Sequence, residues 1–408
     1  MSLSKFSGDN LAEDVMKPEV WRRTFKFLSI MELVRLRLVC KTFKEEVDFL
    51  FTTQDKLGIF NPWRRREPLN SYLYSDPRYY VPNSSWIRLH SIGQHLPTLK
   101  SLFPSVKLLV IDSSENCFRS TVYYKLYIED FLDSFVDLQS LAIDDDIVCC
   151  NTNRSYPKLK HLSLAWISGA KLPSLPSLES LRIYCNFSEL KPWMEKNFGR
   201  PSKRCEIDYS YSGDPDYSMQ CLSSLPSSLE YLKTRNFFGY KRRFERMFPK
   251  LMEVNRVNVQ EYREDDIVDH GHTEFINFLK DHALTLKKVT TKLYSIDDEQ
   301  LKDMLSCLRP GTHIKISPPL GLKKDYLRQY KLIGDLCQKR NLYLEIDAYY
   351  LTLDLNRLPN RFLSILPPQT RSLTGYVFES TARNEASCRR LIRAVLDSPL
   401  RSTILHIF

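Results

Sequence analysis

From about residue 97 onward the apolar residues fall into a recurring Leu-x-x-Leu-x-Leu pattern with polar residues in the gaps. The copies are 104–111 (PSVKLLVI), 136–143 (VDLQSLAI), 157–164 (PKLKHLSL), 176–183 (PSLESLRI) and, less cleanly, 227–232 (SSLEYL), with weaker ones at Leu251–Val254 and Leu286–Val289. Alternation of this kind predicts a short strand that buries its leucines on one side. Between the strands, apolar residues at helical spacing predict amphipathic helices. These are marked by Ile128, Phe131, Leu132 and Phe135; by Phe275, Phe278 and Leu279; by Leu301, Met304, Leu305 and Leu308; and by Tyr326, Tyr330, Ile333 and Cys337. Ser295 and Asp298 are spaced as a capping box for the third of these. Strands are predicted at 342–346 and 404–408, the latter after a helix through Cys388, Leu391, Ile392, Val395 and Leu396. The leucines at 138, 159 and 178 lie 21 and 19 residues apart, whereas 51 separate Leu178 from Leu229. A helix over Lys191–Phe198, with Pro192 in its first turn, and a strand over Cys205–Tyr209 fill that gap as a further repeat.

The amino-terminal stretch Met16–Phe51 has a different period. Pro18 suits a first helical turn, and Trp21, Phe25 and Leu28 follow as one stripe. Ser29 with Glu32 forms a capping box that opens a second helix carrying Leu33, Leu36 and Val39. A third helix carries Phe43, Val47, Leu50 and Phe51. Three helices this short carry more large hydrophobes than a small core needs, and a partner is one way to cover the surplus.

The residues Pro18, Glu19, Val20, Phe25, Leu28, Leu33, Leu36, Val39, Cys40 and Phe43 resemble the F-box motif in kind and order. Lys17 stands where the family has Pro, Trp21 and Thr24 replace aliphatics, and Phe43 replaces Trp. The copy at 176–183 extends to Asn186 and so resembles the full leucine-rich repeat. Together these resemblances imply an α/β protein: an N-terminal three-helix F-box followed by an irregular leucine-rich-repeat solenoid of parallel strands alternating with helices. The expected divisions are a mobile N-terminus over 1–10, the F-box over 11–52, an aromatic and Pro-rich ordered connector over 53–96, and the repeats over 97–408. The resemblance further implies a substrate-recognition subunit of a Skp-cullin-F-box ubiquitin ligase. The ten residues just named are its adaptor-facing candidates, the Skp-type adaptor links it to a cullin-RING ligase, and the repeats hold a protein substrate. Some of the ten must instead hold the motif together internally. A repeat scaffold whose N-terminal helices merely cap the array remains the alternative.

Composition narrows the picture. At 408 residues and 43% hydrophobic the chain can bury a sizeable core. The first ten residues lack a signal-peptide pattern, and no apolar run is long enough for a membrane helix, so a cytoplasmic or nuclear location is expected. Ten scattered cysteines without a Cys-x-x-Cys pair read as free thiols. The net charge of +10 is spread through the chain and favours acidic partners. Nucleic acid is not the expected partner but stays a rival raised by the same charge, testable by salt dependence.

Phosphate-loop, zinc-protease, nucleophile-elbow and dinucleotide motifs are absent, so neither an enzyme nor a cofactor is expected. His270 and His272 near Asp265, Asp266 and Asp269 form too weak a set for a metal, and Asp144–Asp146 reads as a loop after a strand. The x positions of the repeats define the expected substrate face: Lys160, His161 and Ser163; Glu179, Ser180 and Arg182; Glu230, Tyr231 and Lys233; Lys287 and Lys288. That face leans basic and suits an acidic or phosphorylated segment.

Overall fold

A computed structural model describes residues 18–60, 76–88, 92–112, 127–147, 154–167, 173–185, 203–208, 219, 222–223, 225–234, 237, 240, 247–256, 272–292, 296–317, 324–347, 370–375 and 404–407. The chain divides into two units, Met1–Arg200 and Pro201–Phe408. In the first, helices α1 (Pro18–Phe25), α2 (Ile30–Leu36) and α3 (Lys41–Thr53) precede strands β1 (Lys56–Phe60) and β2 (Trp86–Arg88). There follow α4 (Ile92–Leu102), β3 (Leu108–Asp112), α5 (Ile128–Ser134), β4 (Ser140–Ile147), β5 (His161–Ile167) and β6 (Ser180–Cys185). Its strands are parallel in the order β2-β1-β3-β4-β5-β6.

The second unit holds β7 (Arg204–Asp208), β8 (Tyr231–Thr234), β9 (Glu253–Arg256), α6 (His272–His282), β10 (Lys288–Lys292) and α7 (Asp298–Ser306). It continues with β11 (His313–Ser317), α8 (Lys324–Arg340), β12 (Tyr343–Asp347), β13 (Thr370–Gly375) and β14 (Ile404–Ile407), all parallel and in sequence order.

Repetition in sequence becomes repetition in hydrogen bonding. The residue before a strand and the strand's first residue both donate to the carbonyl of the residue before the preceding strand. Lys160 N and His161 N bond Gln139 O at 2.8 and 3.0 Å, Glu179 N and Ser180 N bond Lys160 O, and Lys287 N and Lys288 N bond Met252 O. This device fixes the register, so the repeated leucines stack on one side: Leu141, Leu162 and Leu181 are 0% exposed, as are Leu232, Val254 and Val289. Helices cover that side. In the second unit, Phe278 and His282 of α6 stack at 4.3 Å, and His282 Nε2 accepts from Phe248 N at 3.3 Å, joining the helix to the turn before β9.

Three details differ from the sequence reading, the first being that Asp144–Asp146 continue strand β4 and do not form a loop after it. The capping box of α7 is Asp297 with Gln300, because the helix starts at Asp298, which therefore lies in the first turn and pairs with Arg328. The connector supplies two strands, β1 and β2, to the sheet. Its aromatics Tyr79 and Trp86, with Val81, roof the face formed by Leu108, Val110 and Ala142. At Gly58 in β1 any Cβ would lie 2.3 Å from Trp86 Cδ2, so the indole lies directly on the glycine backbone. The N-terminus 1–10, Trp63, Asn186 and the helices expected at 191–198 and 388–396 lie outside the described residues.

Candidate functional site

Helices α1–α3 close around an aromatic triad. Phe43 lies 4.9 Å from Trp21 and 5.3 Å from Phe25, and Trp21 lies 5.8 Å from Phe25. Arg22 of α1 donates twice to Glu46 of α3, Nε to Oε2 and Nη2 to Oε1, and its guanidinium sits 4.1 Å over the Phe49 ring. Arg37 pairs with Asp48 at 2.7 Å, tying the end of α2 to α3. The capping box opens α2: Ser29 Oγ accepts from Glu32 N, and Ser29 N donates to Glu32 Oε2 at 2.7 Å. Hydrogen bonds from Ser29's side chain and backbone hold the Glu32 carboxyl below its ordinary value. Phe51 meets Phe103 at 4.9 Å, so α3 is seated on the first repeat's interior.

The ten adaptor candidates divide. Phe25 and Leu33 are buried, at 2% and 6% exposure, Phe25 within the aromatic triad. Leu28, Leu36 and Phe43 are half-buried. Pro18, Glu19, Val20, Val39 and Cys40 are exposed, and Cys40 also caps α3, its Sγ accepting from Phe43 N at 3.4 Å. Three further exposed large hydrophobes of this domain were not among the ten: Phe27 at 87%, Leu38 at 86% and Met31 at 52%, beside Val39 of the ten at 64%. Met31 and Leu38 are seven residues apart and fall on one stripe of α2 and its closing turn. Only the periodicity of α2 alone, which sets this stripe against the buried Leu33, could have found them from sequence.

The expected substrate face is corrected more substantially. Arg182 and Tyr231 are buried, at 4% and 7% exposure, and Ser163 and Ser180 are buried too. Arg78, beside Tyr79 of the roofing segment, donates to Ser180 Oγ, and the Arg204 guanidinium lies 3.3 Å from the Tyr231 ring centre. Burial, with Arg78 nearby, pushes the half-buried His161 imidazole below its usual pKa. Nor is the face predominantly basic, because the register sets carboxylates opposite its lysines. Lys160 meets Glu179 at 3.7 Å, Lys233 meets Glu206 at 3.4 Å, Lys288 meets Glu253 at 3.2 Å and Lys315 meets Glu345 at 2.8 Å. His313 stacks on Tyr343 at 4.7 Å in the row that includes Glu253 and Lys288. Lys287, by contrast, is exposed just before β10.

Among the described residues no group of three or more His, Cys, Asp or Glu is placed to hold a metal. His270 lies outside them, and His272 Nδ1 is 2.8 Å from Arg256 Nη1 inside the core. Burial pushes the Cys307 and Cys337 thiols up to about 11 and about 12. No described helix is long and apolar enough to cross a membrane.

Residues 18–50 match the F-box domain family. No curated protein matches the chain in sequence. Among solved structures, the leucine-rich repeat-containing protein LegL7 from Legionella pneumophila is similar over 57% of this chain and 74% of its own, at 15% identity and a TM-score of 0.37. The class is that of an F-box domain joined to parallel-stranded repeats. The stacked leucines and the repeated bond pattern make those repeats leucine-rich in type.

Proposed function

We propose that this chain is the substrate-recognition subunit of a Skp-cullin-F-box ubiquitin ligase, acting in the cytoplasm or nucleus. The F-box docks on a Skp-type adaptor, the adaptor connects to a cullin-RING ligase, and the repeats bind a protein substrate. The chain contributes binding and positioning, while the associated machinery performs the covalent chemistry. The observation that carries this reading is the coincidence of the F-box match at 18–50 with Phe27, Met31, Leu38 and Val39 left open to solvent. Covering one such side chain gains roughly 1.5–3 kcal/mol, so a few of them suffice for a specific interface core.

Co-expression of the full chain with a Skp-type adaptor and a cullin, followed by size exclusion, tests it. Co-elution of all three supports the ligase role. A folded chain that elutes alone would favour the scaffold alternative.

A further inference from the structure

The lysines on the face of the second unit are paired with carboxylates, but among the described residues the cations just before β9, β10 and β11 form no ion pair. Lys250, Lys287 and Arg309 are exposed there, and among the described residues none of them has an acidic partner. Arg309 Nη1 donates instead to the backbone carbonyl of Leu284. The three rim an open groove of about 520 Å³ with Met252, Leu284 and Pro310 among its lining, and Glu230 is the one carboxylate among its described lining residues. Strand order sets the layout: Glu230 precedes β8, Lys250 and Met252 precede β9, Leu284 and Lys287 precede β10, and Arg309 precedes β11.

We propose that this groove binds an acidic segment of a partner protein, with Asp or Glu side chains on Lys250, Lys287 and Arg309 and an apolar side chain over Leu284 and Met252. The inference deepens the substrate half of the function proposed above and rests on it, while adaptor docking does not enter. Three observations select this occupant. The cations sit on three successive loops, which suits carboxylates spread along a chain better than one point anion. The amides of Met252, Thr285, Leu286, Lys287, Gly311 and Thr312 are already bonded to backbone carbonyls, and those of Lys250, Leu284 and Arg309 belong to three separate loops, so the lining offers no run of successive amides of the sort that cradles a free phosphate. Among the described residues no aromatic ring lines the groove, which gives no stacking platform of the kind single-stranded nucleic acid uses. Glu230 repels acid at the β8 end and so gives the bound segment a direction.

The test is fluorescence anisotropy of the full-length chain with a labelled peptide of alternating Glu and Leu at physiological salt, where the screening length is about 8 Å. The expected result is saturable binding that weakens about tenfold or more, a loss of about 1.4 kcal/mol, in Lys250→Glu with Lys287→Glu. It should be unchanged in Lys288→Glu, whose lysine belongs to the paired face. Lys250 and Lys287 are exposed, so unchanged thermal melting is expected of the double variant and checks folding, while Lys288→Glu, set opposite Glu253, should melt slightly earlier and stay folded at the assay temperature. No binding by the folded wild type, equal binding by the double variant, displacement by inorganic phosphate at constant ionic strength, or preference for a single-stranded oligonucleotide would each overturn the inference. Adaptor capture is measured on the same preparations. Captured adaptor without peptide binding overturns this inference alone, and peptide binding without adaptor supports it while counting against the ligase role.

Discussion

Arg22 and Glu46, on the first and third helices, are joined by two hydrogen bonds that span 24 residues of sequence. Glu46 is 8% exposed, so removing its partner leaves a carboxylate with little access to water. Glu46→Ala and Arg22→Ala should each lower the melting temperature by several degrees. The double variant should be less damaged than the sum of the two, as a thermal double-mutant cycle will read. Additive losses would show that the pair is not coupled.

Packing inside the F-box and docking outside it are separable. Phe25→Ala removes a ring from the aromatic triad and should cost about 3–5 kcal/mol, read as an earlier denaturation midpoint. Leu38→Ala removes a side chain in contact mainly with water and should change stability by no more than about 0.5 kcal/mol.

Close approach of Trp86 to Gly58 makes a second region testable. Gly58→Ala forces the indole off the β1 backbone and should destabilise by about 1–3 kcal/mol while altering tryptophan fluorescence. A second substitution, Trp86→Leu, should recover part of that loss. No change in either readout on Gly58→Ala would contradict the contact.

The cap of α2 gives a pH dependence with a definite sign. Ser29 holds the Glu32 carboxyl below its ordinary value, so the cap stabilises the fold above the unfolded carboxylate pKa and is lost as pH falls through the lower folded value. Ser29→Ala should therefore melt earlier than wild type at neutral pH, with the gap narrowing under acid. A gap that is constant with pH would exclude the carboxylate from the cap.

Much of this was legible in the sequence because it is local. The Ser29–Glu32 box, the three N-terminal helices and the leucine strands each depend on residues a few positions apart, and each sits where the pattern put it. What escaped was non-local. Phe25 and Val39 look alike in a motif, and only the packing of α1 and α2 on α3 shows that one is inside and the other outside. The lysine face read as basic because Glu206, Glu253 and Glu345 lie in weaker repeats that no strong leucine pattern aligned with their partners. Tyr79 and Trp86 could be recognised as ordered aromatics, but nothing local tells that they roof the apolar face of β3 and β4.

The measurement that tests the central claim most directly is a calorimetric titration of a Skp-type adaptor into the full chain, its Phe27→Asp variant and its Leu38→Asp variant. Both side chains are more than four-fifths exposed, at 87% and 86%, so the variants should keep the wild-type melting temperature. The account predicts tight binding by wild type and a loss of at least about tenfold, or about 1.4 kcal/mol, in each variant. Undiminished binding in both would contradict the assignment of these exposed residues as the docking surface, and no binding by the folded wild type would contradict the ligase role itself.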